Sequence, residues 1–384
     1  MPETRHIAVV IGTRPEAVKL LPVIDACEAT PGLRTTFVAT AQHRDMLDQV
    51  TAVWGRQPDV DLNVMQANQD LTDVTSAVLK EMRSTLARLR PDIVVVQGDT
   101  TTTFAAALAA FYAGALVAHV EAGLRTWNKR APFPEEINRQ LTTSLADIHF
   151  APTAASRENL LRCGICPENI VVTGNTGIDA LFAIRKRLQT NPGLKAEVEQ
   201  RYAFLGPKRR LLLVTAHRRE SFGGGFEEIC QGIRSIAHSH PDLDIVYPVH
   251  LNPSVREPVN RILNSNGTAG SVHLLSPVSY VDLVYLLDRA HIVLTDSGGI
   301  QEEAPAFGKP VLVMRSVTER PEAVECGSAK LVGADRQAIS ENVSRLLTDN
   351  IAYAGMAQPR FPFGNGTAAK QIAHSLASWP MPRS

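Results

Sequence analysis

The stretch His6-Ile-Ala-Val-Val-Ile-Gly-Thr-Arg-Pro-Glu16 decides the fold. Ile7 to Ile11 is an unbroken apolar run, the pattern of a parallel strand covered on both faces. Gly12 then provides a tight turn, and Pro15 suits the first turn of a helix. Strand, glycine turn and helix make the first part of a βαβ unit, and the same grammar repeats outward. Short β-branched or apolar runs recur at residues 35–40, 93–97, 116–120, 148–151 and 170–172. Helical stretches lie between them, such as residues 17–29 and 73–89, the latter ending before Pro91. The alternation predicts an α/β protein built from right-handed βαβ units in a doubly wound parallel sheet.

The pattern pauses at residues 180–201, which read as one charged helix, and at the surface turn Gly206-Pro-Lys-Arg-Arg210. A second series of strands follows at residues 211–215, 244–249, 272–274, 292–295, 310–313 and 330–332. Two domains are therefore expected, 1–178 and 179–365, with their sheets facing across a cleft and a last short helix near residues 367–378.

Composition narrows the function. Thirty-nine basic and 39 acidic side chains among 384 residues give a formal net charge of zero. That balance argues against partners held by bulk positive charge, so no nucleic acid and no membrane surface is expected. A locally basic site for an anion remains compatible with it. The 44% apolar and 20% charged composition fits a soluble globular chain. The five cysteines are few and odd in number, which argues against a disulfide framework. Cys163 and Cys166 form a CxxC without a second pair at zinc spacing, so reduced, partly buried thiols and no metal are expected. Residues 104–120 are the most apolar stretch, but their alanines and Gly114 read as a core helix running into a strand. The opening residues carry no signal-peptide pattern, and a cytoplasmic location is expected.

In open α/β sheets, ligands bind beyond the carboxyl ends of the strands, so the residues after each strand carry the functional reading. Arg14 and Lys19 follow the first strand and suit a phosphate near the helix N-terminus. No GxGxxG fingerprint occurs, which argues against an ordinary nicotinamide enzyme. Asp99 ends the third strand in Gln97-Gly-Asp-Thr-Thr-Thr-Thr103, and Glu121 ends the next in His119-Val-Glu-Ala-Gly-Leu-Arg125. Glu135 and Glu136 open a helix in Phe133-Pro-Glu-Glu-Ile-Asn-Arg139. Three separate carboxylates converging on one rim would shift each other's pKa, as general acids and bases require.

The second domain offers cations and helix dipoles. His217 ends a strand in Thr215-Ala-His-Arg-Arg-Glu220 and is a candidate contact for a phosphate. The backbone N–H groups of Ser297, Gly298 and Gly299 begin a helix and form an anion cradle. Glu303, one turn on, is placed to accept from ribose hydroxyls, and Arg315 and Arg320 add positive charge. The combination predicts a nucleoside diphosphate sugar, with arginines, a histidine and helix dipoles in place of a metal.

These motifs resemble the non-hydrolysing UDP-N-acetylglucosamine 2-epimerases. The resemblance rests on GTRPE, QHRDML, QGDTTTT, HVEAGLRT, FPEEINR, TGNTGIDAL, TAHRRE, TDSGGIQEEAP and TERPEAV, in order, from residue 12 to about residue 330. It implies two Rossmann-like domains in a GT-B-like arrangement, with the C-terminal helix (366–384) packing back on the first domain, and a homodimer. The implied reaction interconverts UDP-GlcNAc and UDP-ManNAc without a cofactor. UDP leaves C1 as the C2 proton is taken, giving a 2-acetamidoglucal, and then re-adds. Carried over at matching positions, Asp99, Glu121 and Glu135 become acid–base groups and sugar contacts, and His217 assists UDP departure and return. Arg14, Lys19, Ser297, Gly298, Gly299, Glu303 and Arg320 become the UDP-binding set.

Two departures stand out. Where the family often stacks an aromatic ring on uracil, this chain has Leu283, with backbone near Val278 left to read the base edge. Members activated by their own substrate carry Gln-His-Arg-Gln and a later arginine. Here Gln42 and His43 remain, but Asp45 stands for the second glutamine and Asn68 lies near the expected later arginine, which predicts weak or absent activation.

Overall fold

The computed structural model describes residues 4–40, 44–65, 69–218, 224–264 and 272–381. The chain divides into two compact units, the first comprising Met1–Phe182 with Phe363–Ser384 and the second Ala183–Pro362.

The first unit holds β1 (Arg5–Ile11), β2 (Leu33–Ala39), β3 (Val60–Asp61), β4 (Ile93–Gln97), β5 (Leu116–Val120), β6 (Ile148–Ala151) and β7 (Ile170–Val172). They form one parallel sheet in the order β3-β2-β1-β4-β5-β6-β7. Its helices are α1 (Arg14–Glu28), α2 (Arg44–Trp54), α3 (Leu71–Leu89), α4 (Thr101–Tyr112), α5 (Glu135–Leu145), α6 (Ala154–Arg162) and most of the first half of α7 (Thr176–Thr190). Ile7 to Ile11 are buried throughout, as a strand covered on both faces demands. Asp70 and Asp73 form a capping box that starts α3 two residues earlier than the apolar pattern alone implies. Thr100 caps α4 by accepting the N–H of Thr103. The two-residue β3 escaped the sequence reading because it is too short to show a period.

The second unit holds β8 (Arg210–Thr215), β9 (Leu243–Pro248), β10 (Val272–Leu275), β11 (Ile292–Thr295), β12 (Val311–Val313) and β13 (Ala329–Leu331), in the parallel order β10-β9-β8-β11-β12-β13. Around them lie α8 (Pro192–Arg201), α9 (Gly224–Ser239), α10 (Pro253–Leu263), α11 (Tyr280–Arg289), α12 (Gly298–Ala306), α13 (Pro321–Glu325), α14 (Arg336–Thr348) and α15 (Asn350–Met356). Phe226, Ile233, Ile245, Tyr247 and Val343 lie at the centre of its core. The single helix expected over residues 180–201 is two. Asn191 caps α8 and Pro192 occupies its first turn, so the backbone of α7 cannot continue through them.

The last helix, α16 (Ala368–Ser378), belongs to the first unit and packs on α1. Asp179 of α7 accepts the N–H groups of Ala368 and Ala369 at 3.3 and 3.0 Å. The N–H of Asn175 donates to the carbonyl of Phe363 at 2.7 Å. Among the described residues, no helix is long and apolar enough to cross a membrane. Cys27 and Cys230 are buried, but the CxxC thiols Cys163 and Cys166 are exposed, contrary to the partly buried pair expected. They flank the turn after α6, whose Ile165 packs on the cluster of Ala122, Ala151, Leu160 and Ile170 while the two thiols face outward.

Candidate active site

Each sheet reverses its strand order once, between β1 and β4 in the first unit and between β8 and β11 in the second. Crevices outside the carboxyl ends of such strand pairs are the ligand sites of doubly wound folds. Most of the candidate residues fall on the loops that leave these strands or their neighbours.

In the first unit, β1 runs into Gly12. A Cβ there would meet Thr102 Oγ1 at 2.5 Å and Thr40 Oγ1 at 2.8 Å, so the turn admits only glycine. Glu16 folds back under this turn. Its carboxylate accepts the N–H groups of Gly12 and Thr13 at 2.6 and 2.7 Å and the hydroxyls of Thr100 and Thr103 at 2.5 and 3.1 Å. Burial pushes the Glu16 carboxyl above its ordinary range, with these four donors pulling the other way. The sequence reading placed a phosphate at this helix start. The structure fills the turn's donors with the chain's own carboxylate instead. Arg14 begins α1 and is partly buried.

Lys19 also departs from that reading. Its ammonium lies 2.5 Å from Glu121 Oε1, which places it on the carboxylates. Glu121 is buried and sits in the left-handed region at φ 61°, a conformation that costs free energy and is held only by its surroundings. Asn175 donates to Oε1 at 3.0 Å, and Gln97 donates to Oε2. Asp99 follows Gly98 at the end of β4, as the motif predicted. Arg139 binds its carboxylate at 2.7–2.8 Å, and Asn138 holds its carbonyl at 2.9 Å. Burial raises the Asp99 carboxyl, Arg139 opposes that, and the charge of Glu121 adds to it.

The two glutamates that open α5 have different surroundings. Glu136 is fully buried and accepts from the N–H groups of Thr126 and Trp127, from Gln140 and from Arg139. Burial opposes ionisation there, but the Thr126 and Gln140 hydrogen bonds hold its carboxyl below the usual range. Glu135 is partly exposed, and its enclosed Oε2 has no hydrogen-bond partner among the described residues. The structure thus brings Asp99, Glu121 and Lys19 together. It ties Glu135 to them through α5, whose Asn138 and Arg139 grip Asp99 one turn later.

In the second unit, His217 leaves β8 and Asp296 leaves the adjacent β11. The buried Asp296 accepts the N–H groups of His217 and Arg218, each at 2.7 Å, and its Oδ1 lies 3.6 Å from His217 Nδ1. The ring stacks on His250 with centroids 5.5 Å apart. Burial lowers the His217 pKa, Asp296 opposes it, and His250 and Arg218 lower it further.

The anion cradle is narrower than the sequence implied. Ser297 donates its N–H to Thr295 Oγ1 at 2.9 Å, so it is not one of the open donors. Gly298 and Gly299 occupy the first two positions of α12, where N–H groups lack a partner within the helix. Arg320 binds Glu302 at 2.5 Å, and its guanidinium lies 3.6 Å from where a Cβ on Gly298 would stand. Glu303 receives the hydroxyl of Tyr280 at 3.0 Å. Arg315 and Arg218 both bind Glu319, at 2.5 and 3.0 Å. Burial would raise that carboxyl, but its own backbone N–H and the two arginines bring it down to about 2. Val278 precedes α11 and Leu283 lies on it, both partly exposed. Gln42, His43 and Asn68 lie outside the described residues, as does the side chain of Asp45 in α2.

Sequence reasoning missed Glu16, Gln97, Asn138, Arg139, Asn175 and Asp296. Asn138 and Arg139 carried a usable signal, since they follow Glu135 by three and four residues and share its helix face. Among the described residues, no group of three histidines, cysteines or carboxylates gathers as a metal site would require.

The family model described as UDP-N-acetylglucosamine 2-epimerase matches residues 25–377. The Escherichia coli K12 UDP-N-acetylglucosamine 2-epimerase is 51% identical, over 96% of this chain and 98% of its own. A probable UDP-N-acetylglucosamine 2-epimerase of Ralstonia solanacearum is 52% identical, over 98% and 99%. Among solved structures, the Neisseria meningitidis UDP-GlcNAc 2-epimerase bound to UDP-GlcNAc superposes with a TM-score of 0.89 at 46% identity, covering 97% of this chain and 99% of that one.

Proposed function

The chain belongs to the UDP-N-acetylglucosamine 2-epimerase family, and on that premise we propose that it interconverts UDP-GlcNAc and UDP-ManNAc with UDP retained in the product. The observation that carries this reading is the cluster of Asp99, Glu121 and Lys19 at the sheet reversal of the first unit.

The C2 proton of the sugar is too weakly acidic for direct removal and return. Elimination solves this. The C1–O bonding pair stays with UDP as the C2 proton goes to a carboxylate, and the glycal left behind is attacked at C1 by the same UDP. Proton return to the opposite face inverts C2. A carboxylate whose pKa is raised by burial, as at Asp99, suits the proton-carrying role, and Glu135 with its free oxygen is a second candidate. Lys19 and Arg139 hold two carboxylates apart in charge and in place. On the other unit, the Gly298–Gly299 helix start, Arg320 and His217 would hold the diphosphate as charge builds on it, and Glu303 would meet the ribose. Leu283 would pack on uracil beside Val278.

The reading extends to a cytoplasmic homodimer. Phe111 and Tyr112 support self-association, for both stand out from α4 at 59% and 74% exposure. The test is product analysis by proton NMR after incubation with UDP-GlcNAc alone. UDP-ManNAc is expected; free ManNAc with UDP would place the chain in a hydrolysing branch and overturn retention.

A further inference from the structure

The site residues named so far leave one buried carboxylate without a task. Asp296 is fully enclosed at the end of β11, and its own N–H donates to the carbonyl of Thr215 at 3.0 Å. One oxygen, Oδ2, takes the backbone N–H groups of His217 and Arg218. Those two bonds would suffice to fix the loop after β8, and an asparagine could make them. The other oxygen, Oδ1, is enclosed and has no hydrogen-bond partner among the described residues. An ionised carboxylate with an unsatisfied buried oxygen is costly, and folding tolerates one where a cation or donor arrives.

The group facing that oxygen is the His217 ring, with Nδ1 at 3.6 Å. The stacked His250 ring covers one face of the imidazole at an interplanar angle of 15°, and Arg218 sends its guanidinium to Glu319. A small rotation of His217 closes the Nδ1 contact to hydrogen-bonding distance. Contacts of this kind are often long in ligand-free proteins and tighten in the complex.

We propose that Asp296 is a positioning residue for His217: it holds a proton on Nδ1 and so reserves Nε2 for the leaving diphosphate. The proposal rests on the reading of His217 as the group that assists UDP departure. When the diphosphate binds, its negative charge draws a solvent proton onto the open Nε2. The imidazolium then donates Nδ1–H to Asp296 and, as the C1–O bond breaks and its electron pair stays on the β-phosphate oxygen, Nε2–H to that oxygen. On re-addition the oxygen bonds C1 and the hydrogen bond is released, with Nδ1 keeping its proton throughout. Neutral His217 would be the Nδ1–H tautomer, which is the minor form of free imidazole and needs an acceptor to hold it.

The test starts with the unmodified enzyme. Nitrogen-15 NMR of the His217 ring near neutral pH is expected to report the Nδ1–H tautomer; an Nε2–H tautomer would overturn the proposal without any variant. Asp296→Asn keeps an acceptor for the two backbone N–H groups but turns a donor toward Nδ1. It is expected to switch the ring to Nε2–H and lower kcat about a hundredfold, with the UDP Kd changed less than about threefold. Full kcat in Asp296→Asn, with His217→Asn inactive, would sink the proposal and leave the role of His217 standing. Full kcat in both variants would instead remove His217 from the reaction.

Discussion

The ammonium of Lys19 sits 2.5 Å from Oε1 of Glu121, so the cation one turn into α1 serves the carboxylate cluster. Both side chains are largely enclosed, at 22% and 6% exposure, and Asn175 and Gln97 complete the shell around Glu121. The first unit thus gathers the carboxylates proposed to carry the C2 proton, and the N–H groups of Gly12 and Thr13 at its first helix start already donate to Glu16.

That arrangement makes Lys19→Met diagnostic. The variant is expected to lose at least about a hundredfold in kcat, because Glu121 loses the ammonium that balances its charge, with UDP affinity within about threefold of the parent. Isothermal titration with UDP checks the second half. A large loss of UDP affinity with kcat preserved would return Lys19 to the diphosphate.

Glu16→Gln replaces an acceptor of four hydrogen bonds with a group that must present a donor to one of them. A loss of about 2 kcal/mol in urea unfolding is expected, the cost of leaving a buried donor unmatched. Unchanged stability would mean that the turn does not depend on the carboxylate.

Gly298→Ala separates the needs of the ligand from those of the fold. The added Cβ would lie 3.6 Å from Arg320 and from Glu319, an ordinary contact, and alanine suits a helix better than glycine. Stability should hold or rise slightly. The UDP Kd should rise by about tenfold or more, because the methyl stands where a phosphate approaches the helix start. Unaltered UDP binding would move the diphosphate away from α12.

Buried histidines contribute to the acid limit, His119 and His149 among them. Burial lowers His119 to about 3 and His149 to about 4 from an ordinary value of 6.5. Between those values and 6.5 the unfolded chain binds protons that the folded chain refuses, so stability falls as pH drops through that window and is intact above it. From pH 6.5 to pH 5, His149 alone accounts for roughly 2 kcal/mol at about 1.4 kcal/mol per unit. Urea unfolding of His149→Gln and the parent at pH 7 and pH 5 should show the parent losing more by that amount. Parallel losses would show that His149 is not held neutral.

Much of this was legible in the chain. The strands announced themselves because buried parallel strands are continuous apolar runs, and the strand-end position of Asp99, Glu121 and His217 followed from their order alone. What stayed hidden were the partners. Glu16 reads as an ordinary capping-box residue, and nothing local says that its carboxylate also reaches Thr100, 84 positions on. Lys19 reads as a phosphate ligand until the fold sets it against Glu121, 102 positions away. Ser297 looks like an open donor until Thr295 turns its hydroxyl back on it. In each case the local sequence shows a helix start, and only the tertiary structure shows which partners already meet it.

The central claim, that carboxylates of the first unit move the C2 proton while UDP departs and returns, is tested most directly by incubating the enzyme with UDP-GlcNAc in D2O and reading C2 by NMR. Deuterium at C2 of both UDP-ManNAc and recovered UDP-GlcNAc is the expected result, abolished in Glu121→Gln with UDP binding retained. Epimerised product that keeps its original C2 hydrogen would contradict the account.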